Sequence, residues 1–132
     1  MILTGSMESF FGVPWSAAYS ATKAFVLSLG EALWSELKRH NIDVLVLAPG
    51  STDTDTHVAQ GIDKKNLPRL KSPNEVARLG LEQLGQKPVY VTGFSNRLFI
   101  RVFSFLPRRW AVAAMGSGVR KVLLKGREQA SE

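Results

Sequence analysis

The chain has 132 residues, 45% hydrophobic and 21% charged, enough for one domain with a buried core and too apolar for a disordered segment. It has no cysteine, which excludes disulfide and thiolate chemistry. The net charge is +6, and most of its basic residues lie late in the sequence.

In chain order, Met1-Ile2-Leu3-Thr4 reads as the last residues of a strand whose beginning lies upstream. Gly5 to Ala17 is a loop rich in Gly, Ser and Pro. From Ala18 to Arg39 the pattern is helical, with Phe25, Val26, Leu29, Leu33 and Leu37 at three- and four-residue steps. Gly30 inside that helix costs about 1 kcal/mol against alanine, which predicts close packing there. His40, before Asn41, stands at a helix end where a basic residue suits the dipole. Ile42 to Ala48 is an apolar, branched run and predicts a strand covered on both faces, stopped by Pro49-Gly50.

Ser51 to Lys71 is polar and long, the kind of loop that serves as a lid. Ser72-Pro73-Asn74-Glu75 predicts a helix start with a capping box, and Val76, Leu79, Gly80 and Leu84 supply its apolar stripe. Pro88 to Thr92 predicts a short strand. Strands alternating with helices predict a parallel sheet joined by right-handed crossovers.

Three residues carry the chemistry. Tyr19 and Lys23 are four apart, so on a helix they share a face. A phenol ordinarily titrates at about 10, and a neighbouring cation favours its ionised form. The pair reads as a general acid/base, and Ser6 adds a hydroxyl able to hold a substrate oxygen. The bland alternative is an ordinary exposed helix start. Asp53, Asp55 and His57 alternate as metal ligands on a strand would, but no fourth ligand is evident, so they read as a solvated lid without metal. Lys64, Lys65, Arg69 and Lys71 lack interleaved aromatics, which argues against nucleic acid as a partner.

Ser6, Tyr19-x-x-x-Lys23 and Pro49-Gly50-Ser51-Thr52-Asp53-Thr54 after an apolar strand resemble the short-chain dehydrogenase/reductase family. The resemblance is close over residues 1–92 and loose beyond. It implies an α/β fold: residues 1–92 as the C-terminal half of a Rossmann-type doubly wound parallel sheet, and residues 93–132 as a basic, apolar helical C-terminal extension. It also implies a cytoplasmic oxidoreductase that interconverts carbonyl and alcohol with NAD or NADP. Tyr19 would pass the proton, Ser6 would hold the substrate oxygen, and Lys23 would serve both the phenol and the nicotinamide ribose. Pro49, Gly50 and Thr52 would lie along the nicotinamide, with Tyr19 and Lys23 also touching the cofactor, and Thr54 would begin the lid.

The departures are equally informative. No Gly-x-x-x-Gly-x-Gly loop follows a strand, no residue is placed to read the adenosine ribose, and no asparagine precedes Ser6 on a helix. Gly5 stands where a second serine is common, and Thr52 where valine or isoleucine is. These point to a fragment that is inactive alone. The alternative is a non-catalytic module for subunit pairing, through the helix at 18–39, or for membrane-surface association.

Residues 97–132 hold eight basic and two acidic residues, enough to account for the whole net charge. Leu98, Phe99, Ile100, Val102, Phe103, Phe105 and Leu106 are apolar almost all round a helix, beside a narrow stripe of Arg97, Arg101, Ser104 and Arg108. Pro107-Arg108-Arg109-Trp110 breaks the run, and Val112, Met115, Val119 and Leu123 begin a second amphipathic stretch. The run is too short and too charged to span a bilayer. It predicts either membrane-surface contact through residues 97–125 or a face packed over the substrate pocket or a partner subunit. A membrane-facing tail would suit a lipophilic carbonyl or alcohol substrate.

Overall fold

A computed structural model describes residues 1–53 and 70–129 of the chain, with side chains described as far as Arg120. Three parallel strands, β1 (Ile2–Thr4), β2 (Leu45–Ala48) and β3 (Val89–Val91), form a sheet in the order β1-β2-β3. Helix α1 (Ala17–Leu37) connects β1 to β2, and α2 (Pro73–Gln83) lies between β2 and β3. Two further helices, α3 (Phe94–Ser104) and α4 (Arg108–Gln129), follow the sheet. The fold is α/β of the Rossmann type.

Val44 to Ala48 are all buried, as expected of a central strand with both faces covered. The strand is shorter than its apolar run, because Ile42 and Asp43 are exposed and β2 begins only at Leu45. Helix α1 tightens into a 3-10 turn at Lys38–His40. Asn41 closes that turn in the left-handed region at φ 55°, its N–H donating to the Lys38 carbonyl at 3.1 Å.

Two glycines fix how the helices sit. A Cβ on Gly30 would lie 2.1 Å from Val46 Cγ2 and 3.2 Å from Leu3 Cδ1, so α1 packs on the face carrying Leu3 and Val46. A Cβ on Gly80 would lie 2.8 Å from Leu47 Cδ2 and 3.7 Å from Ile2 Cδ1, so α2 packs on the face carrying Ile2 and Leu47. Successive strand residues point to opposite faces, so α1 and α2 lie on opposite sides of the sheet. Two crossovers of one hand along β1-β2-β3 would place both helices on the same side. The expectation of right-handed crossovers throughout therefore fails at one of them. The rule is a strong tendency, and here the packing of α2 through Gly80 on Leu47 and Ile2 overrides it.

At the start of α2, Ser72 Oγ accepts from the Glu75 N–H at 3.2 Å, with Pro73 in the first turn. The expected capping box is only half formed, because the Glu75 carboxylate is taken by the Lys71 ammonium.

A second apolar cluster joins the C-terminal helices to the sheet: Phe11, Ala48, Val91, Ile100 and Ala111. Phe99 stacks on Phe103 at 4.0 Å, and Phe103 meets Phe11 edge-on at 6.3 Å. Gly116 of α4 lets that helix close on Pro14, where a Cβ would come within 2.8 Å of the ring. The apolar girdle read across Leu98 to Leu106 is therefore two faces. Phe99, Ile100 and Phe103 turn inward, while Leu98, Val102 and Phe105 stay exposed. The polar stripe ending at Arg108 is interrupted too, because α3 stops at Ser104.

Candidate active site

The site is assembled at the carboxyl ends of the parallel strands, where loops after β1 and β2 run side by side. Gly5 N donates to the Leu47 carbonyl at 2.8 Å, and Met7 N to the Pro49 carbonyl at 3.3 Å. Ser6 is thereby fixed between two bonds to the β2 segment. It caps a 3-10 turn at Met7–Phe10: Ser6 Oγ accepts from Glu8 N at 3.2 Å, and Ser6 N donates to Ser9 Oγ at 3.0 Å. Glu8 engages one lone pair, so Ser6 keeps its hydroxyl proton and its second lone pair to offer a ligand.

Tyr19 stands in the first turn of α1, 42% exposed. The entry to that turn is pinned by Ser20, whose buried Oγ accepts from Val13 N at 3.3 Å and donates to the Ala17 carbonyl at 3.1 Å. One turn on, the Lys23 ammonium donates to the Thr4 carbonyl at 2.9 Å and lies 5.6 Å from the centre of the Tyr19 ring. Lys23 thus ties the tyrosine's helix to the end of β1, two residues before Ser6. Arg108 reaches across from α4 to the Phe10 carbonyl at 3.4 Å, so the C-terminal helices brace the segment between Ser6 and Tyr19.

Pro49 and Gly50 follow β2 at the same end. Gly50 N donates to Thr92 Oγ1 at 3.1 Å, and Asn96 Nδ2 donates to the Thr92 carbonyl at 2.8 Å. Asn96 lies so close over Gly50 that a Cβ there would meet its Nδ2 at 2.3 Å. Thr52 Oγ1 donates to the Gly50 carbonyl at 3.1 Å, and Thr52 pairs with Lys71 in a parallel bridge. That bridge is closed by Asp53 N to the Lys71 carbonyl at 2.8 Å and Lys71 N to the Ser51 carbonyl at 3.1 Å. Thr54, Asp55, His57, Lys64, Lys65 and Arg69 lie outside the described residues.

The structure brings Ser6, Tyr19, Lys23, Pro49, Gly50 and Thr52 to one end of the sheet. It adds three participants that sequence reasoning missed. Thr92 and Asn96 hold the Pro49-Gly50 loop, and a polar residue closing an apolar strand was the available signal. The Thr4 carbonyl anchors Lys23, and a backbone group leaves no mark in a sequence. Trp15, four residues before Tyr19, is 70% exposed and adopts φ 69°, a conformation that L side chains rarely take.

Residues 1–65 match the family model described as short chain dehydrogenase. A 7beta-hydroxysteroid dehydrogenase of Clostridium sardiniense is 32% identical over 116 residues, which cover 87% of this chain and 44% of that protein. A solved structure from work on 7beta-hydroxysteroid dehydrogenase stereoselectivity superimposes with a TM-score of 0.74 at 25% identity, covering 86% of this chain and 44% of that one. A short-chain dehydrogenase from Sphingobium yanoikuyae in complex with NADPH gives 0.60 at 26% identity, covering 94% and 44%. The chain spans less than half the length of these relatives. Sequence and sheet agree, and the chain belongs to the short-chain dehydrogenase/reductase family.

Proposed function

We propose that this chain is the part of an NAD(P)-dependent carbonyl reductase or alcohol dehydrogenase that carries the proton-transfer residues. The observation that carries the reading is the Lys23 ammonium, held by the Thr4 carbonyl beside the Tyr19 ring at the strand end where Ser6 emerges. A nicotinamide dinucleotide, when bound, supplies or accepts the hydride. Tyr19 gives its hydroxyl proton to the carbonyl oxygen during reduction and takes it back during oxidation. Ser6 donates its free hydroxyl proton in a hydrogen bond to that oxygen and holds it within reach of the phenol. Lys23 keeps a positive charge beside the ring and offers its remaining N–H groups to the ribose.

The residues suit the nicotinamide end of such a cofactor. Pro49, Gly50 and Thr52 stand together after β2, with the Gly50 N–H held by Thr92 and the Gly50 carbonyl by Thr52. No Gly-rich phosphate loop after a strand occurs in the 132 residues. On this reading the chain is a piece of a longer enzyme whose nucleotide-binding half supplies that loop. Residues 1–92 then complete a shared sheet, and residues 93–132 form the helical extension. A lipophilic alcohol or ketone such as a steroid is the favoured substrate class. The relative named for a hydroxysteroid supports it.

The test is ketone-dependent oxidation of NADH and NADPH. The longer protein should turn over cyclic ketones, while the 132-residue chain should be inactive and titrate calorimetrically with no better than millimolar cofactor affinity. Micromolar binding by the chain alone would contradict the division of labour.

One observation favours a second reading, a non-catalytic pairing module. The outward side of α1 exposes Ala18, Ala21, Phe25, Leu29 and Ala32 at helical spacing, a smooth apolar strip suited to another helix. Concentration-dependent sedimentation abolished by Phe25→Glu, in a protein inert towards every ketone, would favour it.

A further inference from the structure

We propose that the outward face of α3, with the corner between α3 and α4, docks on an anionic lipid surface. The inference is independent of the catalytic reading. Phe94, Leu98, Val102 and Phe105 recur at steps of four, four and three, so they form one row along the helix, and all four are exposed. Phe94 is 73% exposed and Phe105 84%, extreme values for phenylalanine. The inward residues Phe99, Ile100 and Phe103 are already engaged with Phe11 and Val91, so docking of the outer row leaves the core closed. Leu106 and Trp110 extend the exposed apolar surface round the corner.

Charge selects the occupant. Arg101 lies within the exposed row, and Arg108, Arg109 and Trp110 begin α4, with the Arg109 guanidinium 5.8 Å from the Trp110 ring centre. From Gln83 to Arg120 the chain carries six basic residues and no acidic one. A second copy docking through this same face would bring like charges together, whereas phospholipid headgroups supply the missing anions. Aromatic and aliphatic side chains would settle at the headgroup boundary with arginines on the phosphates, the disposition of an interfacial helix. Among the described residues no helix is long and apolar enough to cross a membrane, so the contact is with the surface.

The experiment is co-sedimentation of the 132-residue chain with phosphatidylcholine vesicles, with and without phosphatidylserine, at low and physiological salt. The chain should pellet with the anionic vesicles, weakly with the neutral ones, and less as salt rises. Phe94→Ser with Phe105→Ser should abolish most of the binding. Arg101→Gln should weaken it about fivefold, and adding Arg109→Gln should bring the loss to roughly tenfold or more. All substitutions are at exposed positions, and circular dichroism checks that each variant keeps its fold. Equal pelleting with neutral vesicles, or unchanged pelleting of these variants, would overturn the proposal. So would a dimer abolished by Phe105→Ser in a protein that ignores vesicles.

Discussion

Trp15 is held in a left-handed backbone conformation while most of its indole faces solvent. Such a residue stores about 1–3 kcal/mol of strain and persists only where neighbours enforce it. Here Ser16 N bonds the Val13 carbonyl at 3.1 Å and Val13 N bonds Ser20, which fixes the turn that delivers Tyr19. Trp15→Gly and Trp15→Ala both remove the indole, but only glycine accepts this φ without penalty. The glycine variant should therefore be about 1 kcal/mol more stable than the alanine variant in urea denaturation, against the usual order. An alanine variant at least as stable would show that the turn relaxes. At this scale Ser6, Tyr19, Lys23 and Pro49-Gly50 were legible as candidates, because their side chains or turn chemistry announce themselves at fixed spacing. The sequence concealed Thr92, whose bond to Gly50 joins residues more than forty positions apart, and Asn96, which packs over Gly50 from its own bond to the Thr92 carbonyl.

Among the helices, α1 is the element on which the site depends, and Gly30 sets its distance from the sheet. Gly30→Ala would place a methyl group 2.1 Å from Val46 Cγ2, so either the helix or Val46 must move. Overpacking of this kind costs about 1–3 kcal/mol. Val46→Ala vacates the contested space, so the double variant should lose less stability than the two single losses summed. Urea melts of the three proteins check this, and strict additivity would mean that the contact does not limit the packing. The glycine's role was legible because a helix-weakening residue at a buried position needs a packing reason. Opposite-hand crossovers were not legible, since the alternation of strands and helices is the same whichever face α2 takes. The division of α3 into inward and outward apolar faces also escaped the sequence. Its residues are hydrophobic nearly all round, and only the positions of Phe11 and Val91 decide which side is buried.

Across the molecule, the elements that carry the candidate residues converge on one end of a three-stranded sheet. The C-terminal helices tighten that end by packing on Phe11 and Pro14 rather than standing apart from it. The general order of strands and helices was readable because each strand ends close to glycine or proline and the stretches that became α1 and α2 carry apolar residues at three- and four-residue steps. The site was readable as a constellation but not as a geometry, since the Thr4 carbonyl that seats Lys23 belongs to the fold and not to any motif. The central claim is that Tyr19 passes the proton, and steady-state kinetics of Tyr19→Phe in the longer protein tests it most directly. Removing one hydroxyl while keeping the ring should lower kcat by about a hundredfold or more, with cofactor KM nearly unchanged. Lys23→Met should instead damage both kcat and cofactor KM. Turnover near the unmodified level in Tyr19→Phe would contradict the account.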